Sequence, residues 1–154
     1  MSGVADGLLW YAVFLFSLAF HEAAHAFVAL RMGDRTAYEG GQVTLNPVPH
    51  IRREPFGTVI VPILSYALGG WMIGWASTPY DPRWANQYPR RSALMALAGP
   101  VANGVLVLAA AALIRGGVLA GLFVRPDMVG FSSVVAPATG GFFAPLASLV
   151  SILF

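Results

Sequence analysis

At 154 residues, 57% hydrophobic and 10% charged, the chain is too apolar for a soluble domain, where charged residues make up about 25%. A mean hydropathy of +0.69 points to an integral membrane protein. A formal net charge of +2, all of its cationic side chains arginine and scattered over loops, is too small for a nucleic-acid surface, and the lack of cysteine excludes disulfides and thiolate metal ligands.

The first element is an apolar run from Gly7 to Leu30, 24 residues in which His21, Glu22 and His25 are the strongly polar ones and Ser17 a mild exception. A helix of that length, rising about 1.5 Å per residue, spans a bilayer core. Ionisable groups at such depth cost about 2.5–3.5 kcal/mol each on insertion scales, so they normally have a functional reason. In the pentapeptide HEAAH, His21 and His25 stand at i and i+4 on one helix face, the spacing that lets two imidazoles bind one Zn2+. Glu22 projects to one side, placed to act as general base on a metal-bound water. The plainer alternative, histidines packed in a helix interface, must account for two of the three histidines falling in one pentapeptide of a lipid-buried segment. Met1–Asp6 has no Arg or Lys ahead of the apolar run, unlike a cleaved signal peptide.

The loop Arg31–Phe56 follows. Its GGQVTLNPVPHI stretch combines two glycines, a Val43-x-Leu45 alternation and an Asn46–Pro47 break. It reads either as a short β-hairpin or re-entrant loop at the membrane face, or as an ordinary polar connection. A second apolar segment, Gly57–Ala76, is long enough to span, with Pro62 and Gly69–Gly70 as kink or close-packing points and Trp71 and Trp75 as interfacial anchors. The Pro- and aromatic-rich loop Ser77–Arg91 is expected to lie in the interface. The third segment, Ser92–Ile114, has Gly99–Pro100 in its interior, and Gly116–Val124 is too short to span. The fourth, Met128–Phe154, is broken by Pro137, Gly140, Gly141 and Pro145, so that only Pro145–Phe154 reads as a clean helix. The expectation is an all-α membrane protein of about four transmembrane helices, the last incomplete, in a single polytopic domain. If both intervening segments span, the two loops lie on opposite sides, and four arginines against three only weakly place the first loop in the cytosol.

Taken in order, these motifs resemble the site-2 protease family of intramembrane zinc metalloproteases, in its compact bacterial form without a regulatory domain. HEAAH stands for the HExxH of the first core helix. VTLNPVPHI followed by PFGTVIVPIL is similar to the loop and second-helix start, GWASTPYDP to the segment closing that helix, and ALAGPVAN at Ala96–Asn103 to the third-helix signature. The resemblance runs from about Leu8 to Leu113. It implies a multi-pass protein of the bacterial cell membrane that hydrolyses peptide bonds of transmembrane protein substrates. His21 and His25 would hold Zn2+, Glu22 would be the catalytic base, and Asn103 would hold the substrate backbone or the developing oxyanion. A helix–helix hydrogen bond is the other role open to Asn103. The lipid bilayer and a transmembrane substrate are the expected partners, and nucleic acid is not.

Three departures bear on that reading. The family's third zinc ligand is an aspartate in an Asn-Pro…Asp-Gly motif on a later helix, and none of Asp6, Asp34, Asp81 and Asp127 reproduces it. Arg52–Arg53 stand where an acidic residue commonly follows His-Ile, and Ser77–Thr78 where relatives often have a lysine. The chain is therefore expected to be an N-terminal portion of a longer protease, with its last helix cut short. His50 is read as a loop contact near the site rather than a ligand, and the hairpin around Val43–Leu45 as a strand that an unwound substrate could pair with. Other zinc-peptidase patterns fit less well: HEAAHAFVALRMG has no third histidine, and Glu39 and Glu54 lie in the loop. From another class, the chain could be a non-catalytic membrane protein (a pseudoprotease) that binds metal or partner helices. A small transporter with His21 and His25 along an ion path would leave LNPVP and GPVAN unexplained.

Overall fold

The computed structural model describes residues 3–130, 132–139 and 143–153. Among these residues helix dominates, and two helices are long and apolar enough to cross a membrane: α1 (Gly3–Met32) and α6 (Pro89–Leu119). At about 1.5 Å per residue each runs about 45 Å, more than a hydrocarbon core of about 30 Å. Leu8, Phe16 and Phe27 on α1, and Leu94, Val101 and Leu108 on α6, are exposed. Lipid, not water, is the solvent for such a surface. Both helices outrun the apolar segments read from sequence, because a helix keeps its backbone bonds past the point where its side chains turn polar.

The chain forms two compact units, one of Phe14–Asn103 and one of Met1–Val13 with Gly104–Phe154. In the first, α1 ends at a left-handed Gly33 and the loop carries two short helices, α2 (Thr36–Glu39) and α3 (Pro47–Arg53). No hairpin forms at Val43–Leu45; these residues are bends. The Asn46–Pro47 pair that read as a strand break is a helix start. Asn46 caps α3 by accepting from the Val48 N–H at 3.0 Å, and Pro47 fills the first turn, where no N–H is needed.

The second apolar stretch is also shorter than expected. A π turn over Phe56–Ile60 leads into α4 (Val61–Gly69), and Gly70, at φ +73°, ends it in the left-handed conformation. Pro62 has no N–H to give the preceding turn, and the Gly57 carbonyl accepts instead from Trp75 N–H at 3.0 Å, which accounts for the loosened winding. From Met72 to Asp81 the chain has no regular secondary structure. It runs back along its own helix: Ile73 N–H donates to Ser65 Oγ at 3.1 Å, and Ser77 Oγ donates to Glu54 Oε1 at 2.7 Å.

This return corrects the expectation that the loops flank a spanning second helix. Asp81 N–H donates to Asp34 Oδ2 at 2.9 Å, and Trp84 Nε1 and Arg91 Nη1 donate to the Met32 carbonyl at 3.3 and 3.1 Å. Both loops therefore meet the same end of α1. The second one contains α5 (Pro82–Gln87), whose Asp81 cap accepts from Arg83 N–H. Ala29, Trp84 and Met95 form the core at that end, with Val28, Met32 and Ala85 packed around them. From there α6 runs antiparallel to α1, Met95 lying beside His25 and Gly99 beside both histidines.

In the second unit, β1 (Phe123–Val124) pairs antiparallel with β2 (Ala136–Pro137), and α7 (Phe143–Leu153) packs Ala147 and Val150 against Phe123 and Val135. Ser151 Oγ accepts from the Val134 and Val135 N–H groups and donates to the Ala147 carbonyl. The helix read at Pro145–Phe154 is thus present as α7 from Phe143. Gly140, Gly141 and Phe154, named in that reading, lie outside the described residues.

Candidate metal centre

One turn of α1 builds the centre. His21 and His25 stack on a single face with ring centroids 4.7 Å apart and planes at 75°. Their Nε2 atoms are 3.0 Å apart. His25 Nδ1–H donates to the Met95 carbonyl at 2.7 Å, which fixes the ring and leaves Nε2 with the lone pair. His21 Nε2–H is then the donor across the pair. Binding a metal through both Nε2 atoms requires His21 to move its proton to Nδ1, so ion uptake replaces a hydrogen bond with a coordination bond.

The donor set suits zinc. Two Zn–N bonds of about 2.05 Å at a tetrahedral angle put the nitrogens about 3.3 Å apart, close to the separation found. α6 clears the space they point to. A Cβ on Gly99 would collide with the Nε2 atoms of both histidines and stand 2.6 Å from His21 Cε1. Any other residue at this position would fill the cradle between the rings.

Glu22 is 5% exposed and offers its carboxylate within 4.8 Å of the histidine nitrogens. Thr78, on the return segment, places its Oγ1 2.7 Å from Glu22 Oε2 and 3.0 Å from the Glu22 carbonyl. Among the described residues, no further His, Asp or Glu joins the group. His50 is kept elsewhere: it is buried on α3, where Nε2–H donates to the Thr44 carbonyl at 3.1 Å. Asn103, one turn after Gly99 on α6, is exposed and makes none of the described hydrogen bonds.

Reasoning from sequence singled out the HEAAH residues and the Gly99–Pro100 pair but missed the parts that hold them. The Met95 carbonyl has no side-chain signal. Thr78 was visible only as a departure at Ser77–Thr78. Asp34, also missed, closes the loop end of the unit. Burial raises the pKa of its carboxyl, but hydrogen bonds from the Thr36 hydroxyl and from the Thr36 and Asp81 N–H groups outweigh that and leave it lowered.

Comparison with known proteins agrees with this chemistry. The chain is 37% identical over 91 residues to "Putative zinc metalloprotease YwhC" of Bacillus subtilis, the match covering 58% of this chain and 37% of that protein. It is 35% identical over 108 residues to "Putative zinc metalloprotease Rip2" of Mycolicibacterium smegmatis, covering 70% of this chain and 40% of the relative. Against the Rip2 of Mycobacterium tuberculosis it is 34% identical over 128 residues, covering 81% and 48%. The chain thus spans less than half the length of these curated relatives. No family profile and no solved structure matches it. The resemblance drawn from HEAAH, VTLNPVPHI and ALAGPVAN is upheld: the chain is a membrane protein homologous to bacterial proteins named as zinc metalloproteases.

Proposed function

We propose that the chain carries the metal-binding part of an intramembrane zinc metalloendopeptidase of the site-2 type, crossing a bacterial cell membrane more than once and cleaving transmembrane protein substrates. The observation that supports it best is the convergence of His21 and His25 on a point that Gly99 keeps clear, inside a helix long enough to span. His21 and His25 would hold Zn2+, which when bound supplies a Lewis acid for the scissile carbonyl and lowers the pKa of the attacking water. Glu22 takes the proton that water gives up and passes it to the leaving amine as the C–N bond breaks. Asn103 is free to donate its amide to the substrate backbone or the developing oxyanion.

Zinc content and turnover of the full-length natural protein in detergent test this reading together. The expected result is about one zinc per chain, the stoichiometry of a single-site metalloprotease, lost in a His21→Ala, His25→Ala double variant. Glu22→Gln keeps shape and metal but cannot take the proton, so cleavage of a transmembrane substrate should fall by at least about 100-fold. Equal zinc in the double variant, or undiminished turnover in Glu22→Gln, overturns the proposal. A second reading, a non-catalytic metal-binding membrane protein, is favoured by the two-histidine donor set found among the described residues. Zinc uptake without any cleavage by the full-length protein would support it instead.

A further inference from the structure

We infer that Thr78 is a positioning residue that keeps Glu22 in the role of base rather than metal ligand, an inference that rests on the protease reading above. Glu22 lies next in sequence to one histidine and three residues from the other, and its carboxylate comes within ligand reach of both. A carboxylate so close to a bound cation is drawn to it, and one that coordinates gives up electron density to the metal, so it becomes a weaker base and is held away from the water it should deprotonate. Something must hold it back, and α1 offers nothing: its neighbours Ala23, Ala24 and Ala26 carry no polar side-chain atom.

The holding group comes from the return segment that follows α4. Thr78 Oγ1 shares its one proton between Glu22 Oε2 at 2.7 Å and the Glu22 carbonyl at 3.0 Å. Two contacts from one hydroxyl fix the carboxylate to its own helix backbone, which leaves Oε1 as the oxygen able to work. The hydroxyl is itself held firmly. The adjacent Ser77 donates to Glu54 Oε1 at 2.7 Å, which anchors the backbone next to Thr78. Trp75 N–H to the Gly57 carbonyl and Asp81 N–H to Asp34 Oδ2 tie the segment down on either side. Two adjacent hydroxyls thus serve two separate carboxylates, and the one facing α1 meets the catalytic candidate.

The test compares Thr78→Val, which keeps shape and loses the hydroxyl, with Thr78→Ser, which keeps the hydroxyl and loses a methyl. Both are measured in the full-length protein for zinc content and for kcat and KM on a transmembrane substrate. The same variants loaded with Co2+ give a visible spectrum that reports the metal's ligand set without any turnover. In Thr78→Val, zinc content should hold and KM should stay within about two-fold, while kcat falls by about 10-fold or more; Thr78→Ser should recover most of the rate. The cobalt spectrum should change in Thr78→Val, revert in a Thr78→Val, Glu22→Gln double variant, and stay as wild type in Thr78→Ser. Wild-type kcat in Thr78→Val overturns the assignment, as does a Thr78→Ser rate as low as that of Thr78→Val, which would trace the loss to packing. If the wild-type protein cleaves nothing, the protease reading fails on its own. The cobalt spectrum then decides alone, and an unchanged spectrum in Thr78→Val rejects the positioning role.

Discussion

A glycine on α6 decides whether the metal-binding motif on α1 has room to act. His21 and His25 follow from spacing alone, since i and i+4 must share a face. Their usefulness depends on Gly99, which lets α6 come against both rings without a Cβ between the Nε2 atoms. Gly99→Ala is therefore expected to lower zinc content to about a tenth or less, even though alanine is the better helix former by about 1 kcal/mol. Gly104→Ala is the matched control. It lies on the same helix with open space around it, and should keep full zinc and gain slightly in stability. Metal analysis of the two variants side by side reads the difference, and zinc retained in Gly99→Ala would mean that α6 can move aside. The motif residues were legible in the sequence because their chemistry is local. The Met95 carbonyl and Thr78 were not, because each is brought to the site by a chain reversal that no periodicity records.

Among the elements, the loops were harder to read than the helices. Val43-x-Leu45 alternates, but two residues cannot commit to a strand when Asn46 and Pro47 together supply a cap and a first turn. Gly57–Ala76 reads as a span by composition, yet Gly70 turns the chain left-handed and the remainder returns without regular structure, each of its anchors a single bond to the helix it left. The far end of that return depends on Asp34, which joins α1, α2 and the start of α5 through three accepted hydrogen bonds. Asp34→Asn retains the size but presents an amide where Asp81 N–H needs an acceptor. A loss of about 1.5–3 kcal/mol at neutral pH is expected, the range for a hydrogen bond to a charged group. Because the folded-state pKa lies below the ordinary carboxylate value, the stabilising charge is fully present above about pH 4 and is lost as pH falls through the folded value. Melting curves of wild type and Asp34→Asn in detergent should accordingly differ most at neutral pH and draw together in acid. A gap that stays constant with pH would show that the carboxylate's charge does not matter there.

For the whole molecule, the return of the second apolar segment changes the arithmetic of orientation. With the loops on opposite sides, four arginines stood against three. With both loops at the Met32 end of α1, Arg31, Arg35, Arg52, Arg53, Arg83, Arg90 and Arg91 gather at one end of the spanning helices, leaving Arg115 and Arg125 as the others in the chain. Excess arginine in short loops marks the cytoplasmic side. The loops are thus expected in the cytosol and the start of α1 outside, with the metal centre about 10–17 Å from the loop end, since His25 and His21 precede Met32 by about two and three helical turns. The chain has no cysteine, so single cysteines report cleanly. Gly3→Cys, Gly40→Cys and Asn86→Cys would be treated in intact cells with a thiol reagent that cannot cross the membrane. Gly3→Cys should react at once, while Gly40→Cys and Asn86→Cys should react only after the membrane is opened. Opposite behaviour of Gly40→Cys and Asn86→Cys would mean that Gly57–Ala76 spans after all, and that the bonds from Asp81, Trp84 and Arg91 to the end of α1 do not form in the membrane.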